Sequence, residues 1–457
     1  RTINHLHIHQ VFFRIWFLIK NSNYKIKNYD FKIRKLDPKN KIIFLKKKNS
    51  IIEINKFNFI NQEFKIDTYW NIKSNNKLWE YNLHYFDYLN SNFKDTIYLN
   101  SLINSWIDIE YTKKKVGLDP YPSSLRIVNW IKYFISRDIK KLKFDKSLFN
   151  QIIYLSENLE FHLLGNHLIA NLKALIFGCL YFDTPKTNKI LFKSLIELEK
   201  QLKVQILSDG GHAEFSPMYH AIVMEDILDI LSIIKFYQFK ISDKLKIIIN
   251  KKLNLMLKWL NYLSHPNETF CKFNDTTQYI SQPYSSLKAY SKKIGLKSKE
   301  NISDYTYLKE TGYFIANIQK IFFIMNVGKS SIGHLSGHTH ADTFSFELSY
   351  GNTIFFTNGG ISTYEIGETR DFERSSANHN TIFVNNRSSS EIWKSFRLAR
   401  RPKIGKLKII KKNNLNKISN YYVDYLKEYR HTRSVTIDKK KISIFDNNEN
   451  SNSFFSR

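Results

Sequence analysis

The apolar residues of this chain change their spacing once, near residue 305, and that change restricts the available folds more than any other feature. From about 76 to 265 they recur every three to four positions, the period of a helix with one buried face. "SSLRIVNWIKYFI" (123–135) lines up Leu125, Val128, Ile131 and Ile135 behind a serine cap that follows Pro122. "NHLIANLKALIFGCLYF" (166–182) repeats the spacing, and "SPMYHAIVMEDILDILSIIKFY" (216–237) opens with Ser216 as N-cap and Pro217 at the first helical position. After about 305 the period becomes two, in "YFIANI", "IFFIMNV", "FSFELSY", "TIFFTN", "NTIFVN" and "VTIDKKKISIF". Short strands without intervening helices form an antiparallel sandwich or stacked sheets.

An all-α domain followed by an all-β domain is therefore expected. Residues 1–75 form a mixed segment with β-like runs such as "NKIIFLKK" (40–47), and 76–265 the helical domain, a bundle or a ring of helix pairs. Polar and turn residues over 266–304 connect it to a β domain over 305–457, and "NNENSNS" (447–453) reads as a turn. The chain begins at Arg1 and ends inside a strand-rich region, so it reads as a fragment, and no signal peptide is visible.

With 457 residues and 42% hydrophobic content the chain has ample material for two or three cores. Its formal charge of +29 favours polyanionic partners, although the lysines are spread so evenly that a solvated basic surface is an equal reading. No zinc-finger spacing or RNP pattern accompanies the charge, and nucleic acid is not the expected partner. "VFFRIWFLI" (11–19) is too short and too interrupted by Arg14 to span a bilayer. Two cysteines, Cys179 and Cys271, make no disulfide framework. GxGxxG, P-loop, GxSxG and HExxH motifs are all absent, which excludes the usual dinucleotide, nucleotide, serine-hydrolase and zincin classes.

Four stretches carry candidate chemistry. In "GHTHADTFSFEL" (337–348) extended geometry would put His338, His340, Asp342, Phe344, Phe346 and Leu348 on one face. The polar trio suits metal ligation, proton transfer, or merely the ragged end of a core strand. In "SDGGHAEFSPMYHA" (208–221) Tyr219 falls in the first turn of a helix, where the positive end and nearby cations would lower a phenol's pKa. Packing on the preceding loop is the plainer role, and His212, Glu214 and His220 add titratable groups beside it. Asn166 in "GNHLIAN" (165–171) sits where an N-cap belongs, or offers its amide to a carboxylate. "ERSSANHNTIFVNN" (373–386) carries Arg374 and His379 ahead of a strand, as ligands or as buried hydrogen-bonded groups.

Taken together, "LWEYNLHYFDYLN" (78–90), "DPYPSSLRIVNW" (119–130), "GNHLIANLKAL" (165–175), "DGGHAEFSPMYH" (209–220), "GHTHADTFSFEL" (337–348), "RSSANHNT" (374–381) and "WKSFRLARRPK" (393–403) make the chain resemble the heparinase II/III-like polysaccharide lyases. The resemblance implies an incomplete (α/α) toroid followed by an antiparallel β-sandwich, acting by β-elimination on an acidic, uronate-containing polysaccharide. It puts Asn166 at the carboxylate-neutralising position, Tyr219 at the tyrosine that serves as base, acid or both, and His338 at the catalytic histidine. Arg126, His167, His212, Glu214, His220 and Arg374 become candidates for substrate contacts. Members of the family often hold zinc in the β domain through His, Asp and His, matched here by His340, Asn358 and His379. Asn358 lacks the charge of the expected Asp and is a poorer ligand. No cofactor is implied for the chemistry, and a periplasmic or exported location is implied. A uronate C5-epimerase and a non-catalytic polysaccharide-binding module stay open as alternatives.

Overall fold

The computed structural model describes residues 5–6, 8–20, 24, 26–35, 37, 39–67, 70, 76–109, 116–297, 303–412, 415–438 and 441–450. Its helices before the β domain are α1 (Ile8–Ile19), α2 (Lys77–Tyr85), α3 (Thr96–Asp108), α4 (Pro120–Arg137), α5 (Leu142–Glu157), α6 (Gly165–Tyr181), α7 (Pro185–Gln205), α8 (Pro217–Phe236), α9 (Asp243–Tyr262) and α10 (Tyr284–Lys293). A small antiparallel sheet of β1 (Ile51–Glu53), β2 (Lys56–Phe59) and β3 (Gln62–Lys65) precedes α2. Helices α4, α6 and α8 pack beside one another, and α6 and α8 are buried on nearly every side. All-round burial explains why their apolar residues outrun a single stripe. Cys179 is one of those core residues.

Local signals set the starts of these helices. Ser216 Oγ accepts from the Tyr219 amide and Pro217 follows it, as the sequence led us to expect. The start of α4 differs: its cap is Asp119 and the helix begins at Pro120, where a missing N–H costs nothing. At α6 no side chain caps the helix, since Leu164 turns the chain with φ 62° and Asn166 lies inside the first turn. The connection over 266–304 is not all turn, because it includes α10.

The β domain has two five-stranded antiparallel sheets. The first runs β4 (Tyr305–Leu308), β5 (Tyr313–Ile318), β6 (Ile321–Asn326), β7 (Phe346–Tyr350) and β8 (Thr353–Phe356) in chain order. Helix α11 (Glu368–Arg374) and a ribbon of β9 (Ile392–Trp393) and β10 (Arg397–Leu398) follow. The second sheet holds β11 (Lys403–Ile404), β12 (Lys408–Lys412), β13 (Leu415–Val423), β14 (Tyr429–Ile437) and β15 (Ile442–Asn450), with β11 and β12 both pairing with β13. Phe314, Ala316, Phe323 and Met325 of the first sheet meet Ile418, Tyr422 and Val435 of the second, which makes a sandwich. The opposite face of β5 and β6, through Tyr313, Ile315, Phe322 and Ile324, packs on Trp259, Leu263 and Phe273 of the helical side. A sheet covered on both faces needs apolar residues at both parities, hence the unbroken "IFFIM".

Two extended readings and one turn reading fail. Residues 40–47 form no strand, although Lys47 N donates to Asn90 O. "NTIFVN" makes only an isolated bridge between Val384 and Arg387, and of the turn expected over 447–453, residues 447–450 belong to β15 while 451–453 lie outside the described residues. Among the described residues no helix is long and apolar enough to cross a membrane.

Candidate active site

The stretch 337–345 is a looped approach to β7, not part of the strand, and Phe344 has φ 63°, which breaks the two-residue alternation. His338 and His340 nevertheless converge, because both reach Asp275 in the interdomain connection. His338 Nδ1 lies 2.8 Å from Asp275 Oδ2, and His340 Nε2 lies 2.7 Å from Oδ1. Arg370 of α11 grips the same carboxylate in bidentate fashion at 2.6 and 2.8 Å. Burial alone would raise the pKa of Asp275, but the Arg370 guanidinium and the two imidazole hydrogen bonds hold it well below the usual carboxylate range. Asp342 turns away to Asn326, and burial pushes its carboxyl up to about 7.

The other face of His338 stacks on Tyr219, ring centroids 3.8 Å apart at 27°. Tyr219 is half-buried, and its hydroxyl is 2.7 Å from that of Tyr364. Burial, then the neighbouring Tyr364 and Asp275, drive its pKa well above the usual phenol value. The lowered value expected from the helix terminus is therefore overturned, because burial of the hydroxyl beside Tyr364 and Asp275 outweighs the positive helix end. Tyr219 is held as a neutral phenol in the free protein.

Asn166 does not cap α6. Its amide nitrogen sits 3.0 and 3.3 Å from the two oxygens of Glu214, and its backbone N–H points to the same carboxylate at 3.4 Å. A Cβ on Gly165 would lie 2.1 Å from Glu214 Oε1, so only glycine lets the helix start approach this closely. Burial would raise the Glu214 pKa, but His338, His212 and the Asn166 hydrogen bond lower it on balance. His212 is fully buried, with Nε2 2.9 Å from Gln205 Oε1 and Nδ1 3.6 Å from Glu214 Oε2. His167 is more open, with Nδ1 3.0 Å from Glu160 Oε1 and its ring beside Tyr121. Burial lowers its pKa but Glu160 outweighs that and raises it, favouring an imidazolium at the edge of the cluster.

The remaining candidates face elsewhere. His220 accepts from the His212 amide, contacts Met256 O at 3.0 Å and stacks on Trp259, and burial depresses its pKa to about 3. It is a neutral strut under the 208–216 loop. Arg126 is fully buried against Gln151, Gly117 O and Ser123, over the Trp106 ring. Arg374 is also fully buried and binds the carbonyls of Thr339, Lys394 and Arg397, so it shapes the loop that carries His338 and His340. Both guanidiniums are satisfied inside the protein and are not placed to meet a ligand.

The three residues matched to a zinc site do not make one. His340 Nδ1 and His379 Nε2 face each other at 3.2 Å, but the Asn358 amide donates to Glu347 and its oxygen accepts from Asn380. Among the described residues no carboxylate or thiolate closes on those two nitrogens, since Asp275 occupies the far side of His340. Burial pushes His340 to about 4 and His379 to about 3, so both are neutral. No step is assigned to a metal there.

Sequence reading missed Asp275, Arg370 and Tyr364. Asp275 lay in "NDTT", which has the composition of a turn, and Arg370 stands four residues before Arg374 on α11, a spacing that could have flagged it.

A helical domain and a β-sandwich that together enclose titratable groups at their junction define the class. The chain belongs to the heparinase II/III-like family: the Heparinase II/III N-terminus model matches residues 52–296 and the Heparinase II/III-like C-terminal model residues 303–453. A heparin-sulfate lyase of Bacteroides stercoris is 23% identical over 248 residues, covering 49% of this chain and 36% of its own. The crystal structure of heparinase III aligns with a TM-score of 0.65 at 19% identity, over 80% of this chain and 62% of that one. A heparan sulfate lyase mutant from Pedobacter heparinus aligns at 0.58 and 16% identity, over 96% of this chain and 73% of its own. The match with the curated relative thus spans about a third of that protein's length.

Proposed function

We propose that this chain is a polysaccharide lyase that cleaves a uronate-containing, sulfated glycosaminoglycan of the heparin or heparan sulfate class by β-elimination. The observation that carries the reading is the Tyr219–His338 stack, formed across the domain junction and oriented by Asp275. The similarity to heparin-sulfate lyases supports the substrate class, and the charge of +29 suits a polyanion.

The chemistry follows from who holds which proton. Asp275 takes the Nδ1 proton of His338 as a hydrogen bond, which leaves Nε2 as the basic nitrogen. Nε2 removes the proton on C5 of the uronate, the C5–H electrons form the C4=C5 double bond, and the C4–O4 bond breaks. Tyr219, kept as a neutral phenol, gives its proton to the departing O4. The imidazolium and phenolate that result are in contact, so one proton transfer through solvent restores both. Asn166 hydrogen-bonds the substrate carboxylate, whose negative charge otherwise opposes loss of the C5 proton. Glu214 holds that amide in the free protein, and a second carboxylate arriving there favours one shared proton between the two acids. His167 supplies positive charge at the rim.

The test is absorbance of the unsaturated uronate on incubation with heparin, heparan sulfate and other uronate polymers. Wild type should generate the chromophore, and Tyr219→Phe and His338→Ala should each slow it by about 10²–10⁴-fold with circular dichroism unchanged. Turnover that survives both substitutions would sink these assignments.

A further inference from the structure

A second cluster of chemically capable side chains lies away from His338. His265, Cys271 and Glu347 offer a nitrogen, a sulfur and an oxygen that all fall within 4.8 Å of one another, and all three residues are buried. We infer that these three side chains bind a zinc-class divalent cation that pins the helical side of the molecule to β7. His265 and Cys271 flank a short hairpin closed by a Ser264–Phe270 bridge, whereas Glu347 comes from the middle of the first sheet. Residues far apart in sequence thus place mixed N, S and O donors at one point, the donor set that a borderline-soft cation prefers.

The far atoms of the ligands are held as a metal site requires. His265 Nδ1 lies 2.6 Å from Ser349 Oγ, which aims Nε2 at the cluster, 2.6 Å from Glu347 Oε2. Glu347 Oε1 accepts from the amides of Lys272 and Asn358 at 2.9 Å each and from Asn358 Nδ2 at 3.2 Å. One oxygen is fully engaged by the protein, and the other is turned inward for monodentate ligation. On binding, the cation replaces the proton on the Cys271 sulfur and any proton shared between His265 and Glu347, so uptake releases protons. Water fills the fourth position. Asp275 follows Cys271 by four residues, so the cation also steadies the connection that orients His338.

The full chain, purified without chelator from zinc-supplemented medium, should carry at least about one zinc per molecule by elemental analysis. Protein produced with cobalt instead should show a thiolate-to-cobalt charge-transfer band. Cys271→Ser should abolish that band, while His379→Ala, in the neighbouring histidine pair, should keep it. The wild-type cobalt spectrum decides the matter even if a variant fails to fold. Zinc well below one per molecule, a cobalt spectrum without the band, or a band that survives Cys271→Ser would overturn the assignment and leave a hydrogen-bonded triad.

Discussion

Asp275 is the residue on which the candidate site turns, and nothing in its local sequence advertises it. One carboxylate orders His338, His340 and Arg370, and its backbone carbonyl accepts from Ser216 Oγ at the head of α8. Asp275→Asn keeps the shape but exchanges an acceptor for a donor and leaves Arg370 without its counter-charge. We expect kcat on the cleaved polymer to fall by about 10²-fold or more with KM little changed, as for a histidine held in the wrong tautomer. A proportionate rise in KM with kcat intact would show instead that Asp275 shapes binding. Asn166, Tyr219 and His338 could be named as candidates beforehand because their segments resemble a family's in order. Arg126 and Arg374 could not be discarded beforehand: whether a guanidinium meets a ligand or carbonyl oxygens depends on partners remote in sequence.

At the scale of elements, the starts of α6 and α8 deliver the helical domain's share of the site. Helix α8 follows the ordinary rule, a serine cap followed by proline, and the sequence shows it directly. Helix α6 departs from it, and the reason is chemical: Gly165 has φ +55° and makes room for Glu214, so the Asn166 amide meets a carboxylate instead of a backbone N–H. Gly165→Ala should cost about 1–2 kcal/mol from the left-handed backbone alone, and more from the contact with Glu214. Thermal unfolding should register that loss together with a fall in activity; an unchanged melting temperature would contradict the packing described. Strand prediction was sound where a ladder partner exists, in β5 to β8 and where "VTIDKKKISIF" meets the end of β14 and the start of β15. It failed at 40–47 and 380–385, because a period of two marks extended chain and says nothing about a neighbour to pair with.

For the molecule as a whole, the switch in hydrophobic period already separates a helical part from a sandwich. The use of the sheet's second face was hidden. Tyr313, Ile315, Phe322 and Ile324 pack against Trp259 and Phe273, and Asp209 caps the Glu310 and Thr311 amides across the same junction. That contact holds the loop of His338 against α8, so the site exists only when both parts are docked. The most direct measurement of the central claim is the mass and ultraviolet spectrum of the products formed from heparan sulfate. β-Elimination predicts fragments whose new non-reducing end is an unsaturated uronate, with no water added across the broken bond. Fragments that carry the elements of water, or intact polymer that gains solvent deuterium at C5 without a chromophore, would contradict it.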